Sequence, residues 1–124
     1  MSEPLKVTGM VLEGVPSGEY DRRTVILTKE RGKITAFARG ARRANSTLLA
    51  AASPFAFGTF TVYGGRTAYT LVKADIANYF PEVKEDFAAA CYGCYFMEVA
   101  EYYTGENLDG TDVLNLLYAT LRAL

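Results

Sequence analysis

The sequence predicts a small five-stranded β-barrel followed by the first helices of an α-helical domain. Three observations support this fold class. Short segments rich in β-branched and aromatic residues, separated by glycine-containing turns, fill the chain up to Asp75. A helical periodicity replaces that pattern after Asp75. The charge also changes sign there, because residues 1–74 carry eleven Lys and Arg against five acids, whereas residues 75–124 carry two against nine.

Five short strands are predicted, and they cover residues 6–13, 23–28, 33–38, 55–63 and 67–75. Residues 14–21 are predicted to form a loop, since Gly, Pro and Ser follow one another closely there. Gly58 in mid-strand predicts a bulge or bend, and Gly64-Gly65 predicts a hairpin between the last two strands. Residues 39–53 form a long basic connection that could include a short helix. This arrangement fits an OB-type barrel.

Two helices are predicted after the barrel. Residues 86–103 carry apolar side chains at helical spacing over a wide arc, namely Phe87, Ala90, Cys91, Cys94, Tyr95 and Tyr102. Asp109 is typical of an N-cap before a second helix, whose apolar face consists of Val113, Leu116, Leu117, Leu121 and Leu124. One neighbouring helix would not cover that face, so we expect the chain to end inside a helical domain. The predicted domains are an OB-type domain in residues 1–80 and the beginning of a helical domain in residues 81–124.

Several function classes are disfavoured by what the sequence lacks. No apolar run approaches the roughly 20 residues of a membrane span, and the N-terminus MSEPLKV has no export-signal pattern. We therefore expect a cytoplasmic protein whose two cysteines are reduced. Histidine, the commonest general base, is absent, and neither a nucleotide-binding glycine loop nor a nucleophile–base pair is evident. The sequence predicts a protein that is not an enzyme and needs no cofactor.

An acid-free basic stretch runs from Arg31 to Ala74 and indicates an anionic partner. Phosphate backbone is the leading candidate, because Lys and Arg that neutralise phosphates release condensed counterions. The predicted contacts are, in order of rank, Arg39, Arg42 and Arg43, then Arg22 and Arg23, then Lys33, Arg66 and Lys73. Each group has a structural alternative. The arginines of the first group could be solvated loop residues, those of the second could form an ion pair with Asp21, and the residues of the third could protect strand edges.

Aromatic residues provide a second kind of contact, because OB-folds stack bases on them. The candidates are Phe37, Phe55, Phe57, Phe60, Tyr63 and Tyr69. Most of them must fill the core of so small a barrel. We expect one or two to be exposed and favour Tyr63 and Tyr69, whose hydroxyl groups tolerate water.

Cys91 and Cys94 form a C-x-x-C motif that invites a metal or redox interpretation. Zinc would need two further Cys or His ligands, and a thioredoxin-type site would need a strand-to-helix setting. We therefore predict that both cysteines pack as small apolar residues in the core. Glu98 and Glu101, at helical spacing, are predicted to lie on a solvated face.

Four blocks of the sequence, SGEYDR, LTKERGKITAFARGARR, SPFAFGTF and YTLVKADI, resemble the N-terminal part of the bacterial recombination mediator family RecO. The resemblance implies an OB-fold domain followed by a mostly helical domain. It also implies binding of single- and double-stranded DNA, strand annealing, and RecA loading together with RecR and single-stranded DNA-binding protein. Members continue well beyond this chain, and many carry a cysteine zinc motif in that later part, so no metal is assigned to this sequence.

Two functional hypotheses follow. The first is DNA binding in recombinational repair, which would associate the protein with the nucleoid. The second is a protein-interaction adaptor with little DNA binding of its own, in which the barrel docks RecR and the apolar helices take the tail of single-stranded DNA-binding protein.

Overall fold

A closed five-stranded barrel forms the first part of the computed structural model, which describes residues 4–40, 48, 51–64, 68–103 and 111–123. The strands are β1 (Leu5–Ser17), β2 (Asp21–Thr28), β3 (Gly32–Ala38), β4 (Phe57–Gly64) and β5 (Tyr69–Asn78). They are ordered β1-β2-β3-β5-β4, and the β3–β5 pair is parallel while the other pairs are antiparallel. The predicted five-stranded OB-type barrel is confirmed.

The first strand is longer than predicted. β1 continues through Gly14, Val15 and Pro16 to Ser17, so the predicted loop shrinks to the turn at residues 18–20. A register shift between Val11 and Glu13 bends the strand. Residues 5–10 of β1 pair with β4, and residues 9–17 pair with β2. A proline is tolerated at the edge of a ladder, where its missing N–H costs no hydrogen bond.

Gly58 has the role that the sequence predicts. The β4–β5 register shifts between Phe57 and Gly58, which is the expected bulge. A Cβ atom at Gly58 would collide with the backbone carbonyl oxygen of Asp75. Glycine is therefore required at this close approach of the two strands.

The interior of the barrel is one apolar core. On β3 the buried residues Ile34, Ala36 and Ala38 alternate with half-buried ones that face outward, as a pleated strand requires. The segment before β4 adds Leu48 and Ala52 to the same core. The remaining members are contributed by the other strands and by Ala56 directly before β4, namely Val7, Val11, Ile26, Ala56, Phe60, Val62 and Leu71.

Three helices follow the barrel in the described part of the chain: α1 (Pro81–Glu85), α2 (Phe87–Tyr103) and α3 (Thr111–Ala123). α2 and α3 confirm the predicted helical continuation, whereas the short α1 was not predicted. The helices build a second core on the outside of β1 and β2, with barrel residues Met10, Leu12, Val25 and Leu27 packed against Phe80, Val83, Met97, Ala100, Leu114, Leu117 and Leu121. The division into domains at residue 80 stays a prediction. No described helix is long and apolar enough to cross a membrane.

α2 buries a different face from the one predicted. Phe87 is 85% exposed, and Cys91, Cys94 and Tyr95 are exposed as well. The prediction that both cysteines pack in the core is therefore wrong. Gly93 faces the barrel instead, where a Cβ would come within 2.8 Å of the Phe55 ring. The backbone of α2 lies close to Phe55, so only a small residue fits at this contact. The exposed aromatic residues of α2, although more hydrophobic, therefore face away from it.

α3 also turns slightly from its predicted orientation. Leu114, Leu117 and Leu121 are buried, whereas Leu116 is 69% exposed. The predicted N-cap Asp109 lies outside the described residues, as do Leu124 and the side chain of Tyr102.

Candidate nucleic-acid interface

The helices cover the outside of β1 and β2 and the start of β4, whereas the outer face of β3, β5 and the rest of β4 is not part of their core. Register partners on neighbouring strands present their side chains on the same face of a sheet. One such row runs from Arg23 on β2 through Phe37 and Thr70 to Tyr63 on β4. Tyr63 is exposed, and the other three are half-buried. Two aromatic rings and a guanidinium group therefore share one wall of the barrel.

A second row adjoins the first and is cationic. It consists of Lys6 on β1, Thr61 on β4 and Lys73 on β5, and both lysines are exposed. Thr61 precedes Tyr63 by two residues on the same strand, a separation of about 7 Å. Lys6 and Lys73 therefore lie on the two sides of the strand that carries Tyr63. We call the two rows together the open barrel face.

Arg39 follows β3 directly and has an exposed side chain. The next residue, Gly40, has a φ of 68°, a backbone conformation that suits glycine and turns the chain away from the strand. The Gly40 N–H donates a hydrogen bond of 2.7 Å to Oδ1 of Asp21 at the start of β2. The β2–β3 ladder ends just before this point, so the Asp21 side chain extends the connection between the two strands.

Arg23 pairs with Glu13, not with the neighbouring Asp21 that the sequence suggested as a structural partner. The Arg23 Nη2 to Glu13 Oε1 distance is 3.6 Å, and the two side chains are 41% and 36% exposed. Ion pairs as exposed as this one contribute little stability, because water competes for both partners. Arg23 can therefore exchange its carboxylate partner for a phosphate at small cost.

Arg22 is more firmly held within the protein. Its Nη2 donates a hydrogen bond of 2.6 Å to the carbonyl oxygen of Gly14 on β1. Its Nε atom is buried and has no hydrogen-bond partner within the described part of the chain. The guanidinium group thus ties the far end of β1 to β2, which is a structural role beside any contact with phosphate.

The remaining predicted cations divide between described and undescribed segments. Lys33 lies on the outer side of β3, half-buried and across from Leu27 of β2. Arg42, Arg43 and Arg66 lie outside the described residues. Their part in the interface stays a prediction from the sequence.

Three of the six candidate aromatic residues are taken up by the cores. Phe60 fills the barrel interior, and Phe55 is buried between barrel and helices. Phe57 packs against the helices, with its ring centroid 4.6 Å from that of Tyr118. These rings stabilise the fold and are not available for stacking with a base.

The other three aromatic residues differ in orientation. Tyr69 packs against the barrel interior and is half-buried. Tyr63 is 37% exposed on the open barrel face, as expected. Phe37 lies on the same face but was not favoured by sequence reasoning, which preferred tyrosines for their hydroxyl groups.

Lys6 is a cation of the open barrel face that is not among the residues predicted from the sequence. It precedes the acid-free stretch, so composition did not single it out. The signal lies in the pairing of β1 with β4, which closes the barrel and brings Lys6 opposite Thr61. Placing Lys6 on this face from the sequence would require a prediction that β1 pairs with β4.

The helical side of the molecule has a different character. Exposed acids occur there, among them Glu82 on α1 and Glu98 on α2, the latter as predicted. The side chain of Glu101 lies outside the described residues. Among the residues that the structure describes, no three Cys, Asp or Glu side chains are grouped so as to hold a metal ion.

Comparison with known proteins identifies the family. The family model described as "Recombination protein O N terminal" matches residues 1–80. The chain belongs to this RecO family. It is 38% identical over 120 residues to the DNA repair protein RecO of Alkaliphilus metalliredigens, an alignment that covers 97% of this chain and 49% of that protein.

Two further relatives carry the same name. The DNA repair protein RecO of Acetivibrio thermocellus is 32% identical over 97% of this chain and 48% of its own length. That of Bacillus pumilus is 32% identical over 97% of this chain and 47% of its own length. The chain therefore spans about half the length of the curated relatives it matches, and it corresponds to their N-terminal portion.

Proposed function

We propose that this RecO chain binds DNA through residues 1–80 and serves recombinational DNA repair without catalysing a covalent reaction. The observation that carries the proposal is the open barrel face, on which Lys6, Lys73 and Arg23 surround Phe37 and Tyr63. Relatives named DNA repair proteins support the biological setting.

The cations of this face, together with Arg39 beside it, would hold the phosphate backbone. Lys6 and Lys73 are exposed beside β4, and Arg39 is exposed at the end of β3. Such contacts fix the position of a strand without reading its sequence. Arg42, Arg43 and Arg66 follow in the same basic stretch of sequence, and we assign them to the same role.

The aromatic rings would hold bases. Phe37 and Tyr63 lie in one row and are separated by Thr70. Arg23 ends this row, and Lys6 and Lys73 lie in the adjoining row, so cations flank both rings. An unpaired base can stack on such a ring whatever its identity, because every base has a π face. Neutralised phosphates repel a second strand less, and unpaired bases stacked on the rings stay accessible for pairing. Both effects would promote the annealing of complementary single strands.

A salt titration tests the electrostatic part of this proposal. If about four side chains contact the backbone of a single strand, log K should fall with log[salt] with a slope of about −3. Labelled single- and double-stranded DNA of mixed sequence would be titrated by fluorescence anisotropy at several salt concentrations. A slope of zero, or no binding at low salt, would exclude the proposed function.

A second candidate function is the docking of partner proteins by the helical part. A shallow apolar groove of about 250 Å³ lies between α2 and α3, lined by Phe96, Val99, Leu116 and Leu117 among others. The family resemblance suggests the tail of single-stranded DNA-binding protein as its occupant and RecR as a partner of the barrel. Retained partner binding in a chain that fails to bind DNA would favour this function.

In the whole protein the two functions would cooperate. DNA held on the barrel, with RecR and single-stranded DNA-binding protein docked nearby, would allow RecA to load on the exposed strand. We place this activity in the cytoplasm at the nucleoid.

A further inference from the structure

A carboxylate stands at the point where the basic connection leaves the barrel. Asp21, half-buried at the first position of β2, accepts the Gly40 N–H at 2.7 Å. The two residues are 19 positions apart in sequence, so this contact depends on the folded barrel. A hydrogen bond from an N–H to an ionised carboxylate is shorter and stronger than one between neutral groups.

The place of this bond in the fold explains what it does. The β2–β3 ladder ends at the pair of Arg22 with Ala38. Beyond that pair, β3 stops and Gly40 takes a φ of 68°. The Asp21 side chain takes up the N–H that the ladder no longer binds, and thereby fixes the direction in which Arg39 leaves the strand.

A negatively charged residue at the position of Asp21 is unfavourable for the binding of a polyanion. Asp21 is followed at once by Arg22 and Arg23, and its hydrogen-bond partner is preceded by Arg39. A negative charge among these cations repels phosphate and weakens the attraction for a polyanion. Its presence in the basic half of the chain therefore calls for a gain that outweighs this repulsion.

We propose that Asp21 is a positioning residue of the DNA-binding surface, which holds the Arg39–Gly40 turn so that Arg39 lies beside the open barrel face. The proposal rests on the proposed DNA-binding function. Removing Asp21 should have two effects of opposite sign on the affinity for DNA. Arg39 would no longer be held in position, which lowers the affinity, and a negative charge would be lost, which raises it.

Three substitutions separate position from charge. Asp21→Asn removes the charge and keeps an oxygen that can accept the Gly40 N–H, whereas Asp21→Ala removes both. We expect Asp21→Ala to bind single-stranded DNA about fivefold more weakly than Asp21→Asn, the factor for one hydrogen bond of typical net strength. Asp21→Glu keeps the charge but moves the carboxylate, and should bind more weakly than the wild type. Equal affinities of the Asn and Ala variants, or a Glu variant as tight as the wild type, would overturn the proposal.

Coupling to Arg39 distinguishes positioning from a general loss of stability. In an Arg39→Ala background, exchanging Asp21→Asn for Asp21→Ala should change affinity by less than about twofold, because no guanidinium group remains to be positioned. Glu19→Ala, which removes an exposed acid from the adjacent turn, is the charge control and should not weaken binding. An equal loss with and without Arg39 would contradict the proposal.

Hydrogen exchange of the Gly40 amide tests the anchor without DNA. Exchange should be faster in Asp21→Ala than in Asp21→Asn at equal global stability, and equal rates would overturn the anchor itself. A wild-type chain with slow Gly40 exchange but no DNA binding would instead refute the proposed function, and the positioning role with it.

Discussion

At the scale of single residues, the open barrel face combines two kinds of side chain with separate effects on binding. Phe37 and Tyr63 offer ring faces, while Lys6, Lys73 and Arg23 offer charge. Rings act on unpaired bases, whereas cations act on any phosphate backbone. The two contributions can therefore be separated by comparing single strands with duplexes.

Replacing either ring should weaken the binding of single strands selectively. For Phe37→Leu and Tyr63→Leu we expect losses of about 1–3 kcal/mol each with single-stranded DNA, because leucine has no π face for stacking. Duplex affinity should change much less, since its bases are already stacked. Tyr92→Leu, at a 60% exposed position on α2, is the matched control and should bind both forms normally. Equal losses for single strands and duplexes would contradict the stacking role.

The ion pair between Arg23 and Glu13 leads to a prediction of opposite sign. Glu13→Gln removes a negative charge from the edge of the open barrel face and releases Arg23 for phosphate. Affinity for DNA should rise about twofold to fivefold, in line with the small net strength of exposed ion pairs. Glu82→Gln on α1 removes an equal charge on the helical side and should leave affinity nearly unchanged. Anisotropy titrations at low salt would measure both, and a weaker Glu13→Gln variant would show that the pair itself organises the surface.

At the scale of elements, local pattern predicted the strands better than it predicted the helix faces. Ile34, Ala36 and Ala38 alternate strictly along β3, and a strand offers only two faces. A helix can rotate, and in α2 the close approach at Gly93 overrides the hydrophobicity of the exposed Phe87. The buried face of α2 therefore depends on the shape of the barrel surface, which the helix sequence does not contain.

The same distinction applies to the candidate site. Arg39 could be predicted because the basic stretch is contiguous in sequence. Lys6 and Phe37 could not be placed, because their neighbours come from the β1–β4 and β3–β5 pairings that close the barrel. The roles of Asp21 and Glu13 depend on side-chain contacts across 19 and 10 residues, respectively.

The observed face of α2 leads to a stability prediction. Met97 is 3% exposed in the core between barrel and helices, whereas Tyr95 on the same helix is 60% exposed. Met97→Ala should lower the free energy of unfolding by about 2–5 kcal/mol through the cavity it leaves. Tyr95→Ala should change it by less than about 0.5 kcal/mol, as for most surface substitutions. Chemical denaturation of both variants would measure this, and a larger loss for Tyr95→Ala would mean that α2 buries its aromatic face.

At the scale of the whole molecule, the charge is distributed over two sides of the barrel. The formal net charge of −1 conceals this, because the cationic strands and the acidic helices nearly cancel. The helices pack on β1, β2 and the start of β4, whereas the rows of the open barrel face run across β3, β5 and the later part of β4 and end at Arg23 on β2 and Lys6 on β1. At about 0.1 M salt, charges farther apart than about 10 Å are largely screened from each other. A bound strand should therefore respond more strongly to the cations of the open barrel face than to those acids of the helices that lie beyond this distance.

The salt dependence of binding should accordingly be determined by the cations of the open barrel face. Lys6→Gln and Lys73→Gln should each reduce the magnitude of the salt slope for single-stranded DNA by about 0.7, the contribution of one phosphate contact. Arg122→Gln removes an exposed cation from α3 on the helical side, and its slope should equal that of the wild type. The slopes would be measured by anisotropy with the same DNA for all four proteins. If Arg122→Gln reduced the slope as much as the two lysine variants, the strand would have to cross the helices, and the open barrel face would not be the principal contact surface.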